Sequence, residues 1–439
     1  MAPNRALMSD RRDRVGEKSH EYTLLSLTLG GVIPRDMDNP KGKFPAQFNT
    51  YKVVRPNDFV FCLFDIDETP RGVGLSNHAG MITGAYDVFS PTHRVNPRFL
   101  YYYYLFVDQG KLMKPFYVGL RKTIQRGTFA GIKAPLPPTA EQAAIVRFLD
   151  HWNGRLEKAI RAKRRVIALL QEQKQAIIHR AVTRGLDPNV KLKDSGIPWL
   201  GEIPEYWEVQ RLKRVCRVQG GYAFPASSFG ETGTPVVRMN NLRRGVLDFE
   251  SVARIPATEC VQAFALKNGD ILYGLSGSIG ATGSLGNYAV VAEHDLPAML
   301  NQRIARFVPK LDKIHPNFLI QIIQSSIFYE QVLADTTGTA QFNVSTNDIE
   351  NVAVALPPIS EQASLVLRVN ERVAPITTAI ARYEREITLL REYRTRLTAD
   401  VVTGKLDACA AAAQLPDPEE ALAEAENFEE EPELEEVEG

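Results

Sequence analysis

The sequence has no apolar run near the roughly 20 residues that a bilayer-crossing helix requires, so a membrane-spanning helix is excluded. Its first residues, MAPNRALMSDRRDRVGEKSHEY, are rich in charge and lack the apolar stretch of a secretory signal, which makes the cytoplasm the expected compartment. Only four cysteines occur, Cys62, Cys216, Cys260 and Cys409, with no C-x-x-C pair, and this scatter argues against a zinc ribbon and against a disulfide framework. Seven histidines are unclustered, and AEHDL around His294 is the one tight grouping of histidine with acid. There is no G-x-x-x-x-G-K-[ST] loop, no H-E-x-x-H and no [DN]-P-P-[YF] tetrad of adenine methylases. An enzyme with its own nucleotide, metal or methyl-donor chemistry is therefore not expected, and no cofactor is expected in this chain.

A net charge is also missing, because 52 basic residues balance 52 acidic ones. The balance is uneven along the chain: the C-terminal stretch QLPDPEEALAEAENFEEEPELEEVEG holds about a dozen acids and no base, which leaves roughly +12 on the remainder. A basic body with an acidic tail, 409–439, read as disordered, raises nucleic acid as a partner. At 439 residues the chain is too long for one ordinary core and implies more than one domain.

What is present is a repeat. LPPTAEQAAIV starts at Leu136 and LPPISEQASLV at Leu356; displaced by about 220 positions, residues 136–187 align with 356–407 without a gap, roughly a third of them identical. Matches include Glu141 with Glu361, Gln142 with Gln362 and Leu169 with Leu389. Each diproline cannot continue a helix, and Thr139 with Gln142 suits a capping box, so each repeat predicts a helix start. Leu149, Trp152, Leu156, Ala159, Val166, Leu170 and Ile177 follow three-four spacing and predict a coiled-coil seam on a helix about 60 Å long. Pro375 is expected to kink or divide the second copy.

Fainter matches flank these rods. VRPNDFVFCLFD pairs with LKNGDILYGLSG, VNPRFLYYYYLF with HPNFLIQIIQS, and YTLLSLTLGGVIPRD with GTPVVRMNNLRRGVLD. Short β-rich runs broken by Gly, Asn and Asp, then a helix, predict two mixed globules of an α+β protein. The expected plan is a first globule at 1–135, a central helix at 136–187, a linker and second globule at 188–353, and a C-terminal helix at 354–408. Because the first helix leaves one globule and delivers the chain to the other, the second must return, which predicts two antiparallel rods and a pseudo-twofold protein matched to duplex DNA. Trp199 and Trp207 are the expected anchors of the linker, and packing is the expected role of Tyr101–Tyr104.

The two L-P-P-x-x-E-Q helix starts, the lead-in SGIPWLGEIPEYWEVQRLK and the stretch NGDILYGLSGSIG together resemble the DNA specificity subunit of type I restriction-modification systems, over nearly the whole chain. The resemblance implies two target recognition domains that read a split asymmetric sequence, with paired helices as a ruler across the spacer. It implies a non-catalytic adaptor for two modification subunits that methylate adenine from S-adenosylmethionine, and for a motor-nuclease restriction subunit that uses ATP and Mg. The specificity half of a type II-like system without the motor is the alternative. The first globule lacks a counterpart of the WLGEIPEYW lead-in.

Phosphates are held by Lys, Arg and Gly-rich turns, whereas bases are read by Arg, Asn and Gln. Candidate DNA contacts in the first globule lie in GGVIPRD (30–36) and GLRKTIQRGTFAG (119–131): Arg35, Arg121, Lys122, Gln125, Arg126 and Thr128. Those in the second are Arg238, Asn240, Asn241, Arg243 and Arg244, then Ser276 and Ser278, then Thr337, Thr339, Gln341 and Asn343.

Overall fold

The computed structural model describes all residues except 37–47, 244, 280–282, 335, 337–341 and 416–439. The described chain divides into two units, one of residues 1–163 with 385–415, the other of residues 164–384. Two long helices, Thr139–Thr183 and Ile359–Val402, each begin in one unit and end in the other. Every unit is thus built from a globule, the first half of one long helix and the second half of the other.

In the first unit the strands Met8–Arg11, Asp87–Pro91, Phe59–Phe61 and Val73–Leu75 form an antiparallel sheet in that order. Phe61 is the centre of its inner face, 4.8 Å from Phe129, 5.0 Å from Tyr104 and 5.8 Å from Phe89 between ring centroids. Each such ring contributes on the order of 2 kcal/mol by leaving water. Helix Pro97–Gln109 covers this face; Pro97 presets its first turn, and the Asn96 side chain accepts from the amides of Arg98 and Phe99. The tyrosine run belongs to this packing. Tyr104 is fully buried and donates to Asn4 Oδ1 at 2.5 Å, while Tyr102 donates to Asp150 on the long helix at 2.5 Å. Burial first, then the Asp150 charge, pushes the Tyr102 hydroxyl up to about 12.

The chain start is part of this unit: Ala2–Pro3 pairs with Lys133–Ala134, just before the long helix. The end of the second long helix also enters this unit. Leu397, Val401 and Val402, from the end of the second long helix, join this core together with Ala408 and Ala412. The latter lies on a short helix, Cys409–Ala413, so this part of the acidic tail is ordered; Arg147 donates to the Leu415 carbonyl at 2.8 Å. Ion pairs join Glu157 to Arg394 and Lys163 to Glu386, so the two helix segments of this unit run antiparallel.

The second unit repeats the design. Its strands Cys216–Gly220, Ile304–Pro309, Ile271–Gly274 and Tyr288–Val290 keep the same order, all antiparallel. Helix Pro316–Gln324 takes the place of Pro97–Gln109, and Glu208–Arg211 pairs with Ala353–Leu356 as Ala2–Pro3 pairs with Lys133–Ala134. Trp207 is buried with Leu200 and Ile203 against Ile178, Ala181 and Val182 of the first long helix. Trp199 is not an anchor: it is 47% exposed. The second unit also has a three-stranded sheet, Ala253–Ile255, Thr234–Val237 and Met299–Leu300, and the first has a hairpin of Leu25–Thr28 and Gly31–Pro34.

The repeated glutamine turns out to be a pin between globule and helix. Gln142 is wholly buried; its Oε1 accepts from the Asn96 amide at 2.7 Å, and its Nε2 donates to the carbonyls of Pro137 (2.8 Å) and Arg94 (3.4 Å). Gln362 repeats this, accepting from His315 at 2.7 Å and donating to Pro357 (3.1 Å) and Lys313 (3.2 Å). The amide of Gln142 therefore serves Asn96, Arg94 and Pro137 and not a capping box. Pro375 does not divide its helix, which continues from Ile359 to Val402. The seam also differs from its expected course: Ile160 is buried, whereas Val166 is 36% exposed.

Candidate nucleic-acid interface

In the first unit, residues 118–123 form a tight turn closed by Val118 and Thr123, whose amides and carbonyls bond each other at 3.0 and 3.2 Å. Gly119 (φ +74°) supplies the left-handed geometry such a reversal needs, and Lys122 (φ +43°) shares it at a cost of roughly 1 kcal/mol. That cost is met by a clamp. Lys122 lies 3.2 Å from Glu68 and 3.3 Å from Asp67, contacts that hold its ammonium above the usual lysine range, Glu68 first. Desolvation works to raise the Asp67 carboxyl, but bonds from Lys114 and Lys122 outweigh it and keep Asp67 below its ordinary range. Arg121 is exposed, and its side chain has no partner among the described residues.

The following helix, Arg126–Gly131, begins at Gln125, which is exposed along with Thr128. Arg126 is committed to Asp87 at 2.6 Å and Asp10 at 3.6 Å, so it braces this helix to the sheet. Arg35 is half-buried directly after strand Gly31–Pro34, where its amide donates to the Leu24 carbonyl. Residues 119–131 therefore carry Arg121, Lys122, Gln125 and Thr128 on one continuous loop and helix start.

In the second unit the candidates separate. Asn241 is 1% exposed; its Oδ1 accepts from the Arg238 amide at 2.9 Å and its Nδ2 donates to Asp248 at 2.8 Å and Ser251 at 3.3 Å. It shapes the loop and is not available to a base. Ser276 is likewise buried, in a short pairing with Asn343. Asn240 and Ser278 are exposed, and Arg243, with a 64% exposed side chain, pairs loosely with Asp248 at 3.5 Å. The Arg238 guanidinium lies 5.9 Å over the Phe229 ring. Arg244, Thr337, Thr339 and Gln341 lie outside the described residues.

One residue was not singled out from sequence. Arg303 is exposed and donates to Asn343 Oδ1 at 2.9 Å, beside the Ser276–Asn343 pairing. The only local signal was NQR preceding a strand. By contrast, Arg306 spends its charge internally, on Asp270 at 3.0 Å, Gln219 at 2.7 Å and the Ala263 and Ala265 carbonyls. Among the described residues there is no group of metal-ligating side chains and no helix long and apolar enough to cross a membrane. What the exposed loops offer is cations, amides and hydroxyls suited to phosphate and base edges.

Comparison with known proteins agrees with this doubled design. The chain is 29% identical over 285 residues to the type I restriction enzyme MjaVIII specificity subunit of Methanocaldococcus jannaschii, covering 64% of each protein. It is 24% identical over 318 residues to the EcoBI specificity subunit of Escherichia coli, covering 66% of this chain and 65% of that one. The chain thus spans just under two thirds of the length of these curated relatives. A solved structure described as the structural basis underlying complex assembly and conformational transition of the type I R-M system superposes with a TM-score of 0.61 at 16% identity, covering 92% of this chain and 97% of the other, a likeness of fold. Residues 84–163 and 204–368, more than half of the sequence, match the type I restriction modification DNA specificity domain, and the chain belongs to that family.

Proposed function

We propose that this chain is the DNA-reading subunit of a type I restriction-modification assembly and performs neither methyl transfer nor cleavage itself. Each unit reads one half of a split, asymmetric target, and the long helices set the interval between the halves. Two modification subunits supply S-adenosylmethionine chemistry on adenine, and a restriction subunit supplies ATP- and Mg-driven cleavage. The observation that carries this reading is the doubled architecture. Sheet order, glutamine pin and shared helices are the same in both units, while the candidate loops are unlike in sequence, GLRKTIQRGTFAG in the first and TTGTAQFN in the second. A repeated frame with unlike loops suits two readers of unlike sequences. The cytoplasm, where DNA is met, is part of the same proposal.

The test is a comparison of the purified chain with its assembled complex. The chain alone is expected to transfer no methyl group, and the complex to methylate adenine within one bipartite motif; robust methylation by the partner-free chain would overturn the adaptor reading.

A second test addresses the interval. Four residues inserted after Arg161 lengthen the helical connection by about 6 Å. With base pairs about 3.4 Å apart, methylome sequencing is expected to return the same half-sites separated by one or two additional base pairs. An active insertion mutant with an unchanged spacer would show that this helix does not set the distance.

A further inference from the structure

Leu120 is 103% exposed, more than any other large apolar side chain among the described residues. It stands at the apex of the 118–123 turn. An isolated loop leucine would be unremarked if the loop were loose, but this apex is fixed from several sides. Val118 and Thr123 close it, the Lys122 amide donates to Gly119 at 3.1 Å, the Asp65 amide donates to the Arg121 carbonyl at 2.9 Å, and Asp67 with Glu68 clamps the Lys122 side chain. A stiff apex loses little conformational freedom when it is inserted into something.

The neighbours on either side suggest what that is. The next residue, Arg121, is exposed and its side chain has no partner among the described residues, so it is available to a phosphate. On the other arm Val118 is 57% exposed and Phe116 42% exposed, apolar surface against which a displaced base can rest. Proteins that part base steps and kink a duplex insert apolar wedges such as leucine between bases and use cations beside them. We propose that Leu120 is such a wedge, entering the base stack of the DNA segment read by the first unit. The proposal rests on the reading that residues 119–131 face DNA. It assigns to Leu120 a role in selecting steps that unstack easily, so that part of the first half-site is read through deformability and not by hydrogen bonds.

The experiment uses the full chain in its assembled complex and target duplexes carrying 2-aminopurine at successive positions of the half-site read by the first unit. Wild type is expected to raise the fluorescence at one step severalfold. Leu120→Ala is expected to abolish that rise and weaken target binding roughly ten- to a hundredfold, while Leu120→Phe retains both. The apex side chain is solvated, so an unchanged thermal transition is the expected control. Equal affinity and an equal fluorescence profile in Leu120→Ala overturn the wedge. So does loss of the partner subunits from Leu120→Ala with the fluorescence rise intact, which places the leucine in a protein interface. Sequence-selective binding by wild type without any fluorescence rise overturns the wedge alone, whereas absence of selective binding by wild type overturns the DNA reading beneath it.

Discussion

Gln362→Leu is expected to destabilise the second unit by about 3 kcal/mol or more, because burying an orphaned polar group costs roughly 1–3 kcal/mol and this change orphans several at once. The His315 amide loses its acceptor, and the carbonyls of Lys313 and Pro357 lose their donor, in a site from which water is excluded. Leucine fits the volume but answers none of these groups. Gln362→Glu separates the two halves of the pin: a carboxylate still accepts from His315 but cannot donate to the carbonyls, and an ionised oxygen faces them instead. Gln142→Leu is expected to act equally on the first unit through Asn96, Arg94 and Pro137. Chemical denaturation followed by probes in each unit measures this; a loss under about 1 kcal/mol in both variants would show that the buried amides find other partners.

Exchanging residues 212–351 for the corresponding part of a relative is expected to replace one half of the methylated motif completely and leave the other half and the spacing unchanged. The boundaries follow from the strand pairing of Glu208–Arg211 with Ala353–Leu356, which stays native and receives the new globule. The core contacts of Ile178, Ala181 and Val182 with Trp207 and Leu200 also stay native, because both partners lie outside the exchanged stretch. Each unit has its own sheet and its own buried core, so on the proposed reading recognition by the first is expected to be independent of side chains of the second. Sequencing methylated adenines in cells carrying the hybrid reads the outcome. A change in both halves would mean that the units do not read independently.

Sequence by itself determined what local pattern and self-similarity encode. The gap-free repeat marked both long helices, because diproline starts and three-four apolar spacing are properties of neighbouring residues. The fainter matches paired Phe59–Phe61 with Ile271–Gly274, and these strands do hold the same place in the two sheets. What only the tertiary structure decided depends on residues brought together from far along the chain. Gln142 reads locally as a capping residue, yet its partners at Arg94 and Asn96 lie more than forty positions upstream, where no periodicity points. Ala2–Pro3 finds Lys133–Ala134, and Ala412 joins the core of the first unit, pairings that close very long loops and leave no local signature. Among the candidate contacts, Asn241 and Ser276 have the same chemistry in sequence as Asn240 and Ser278; burial alone separates them. Leu120 is the reverse case. A leucine is by composition a core residue, and only a turn closed by Val118 and Thr123 and clamped through Lys122 puts it wholly in water, because exposure is set by the packing around a side chain and not by its type.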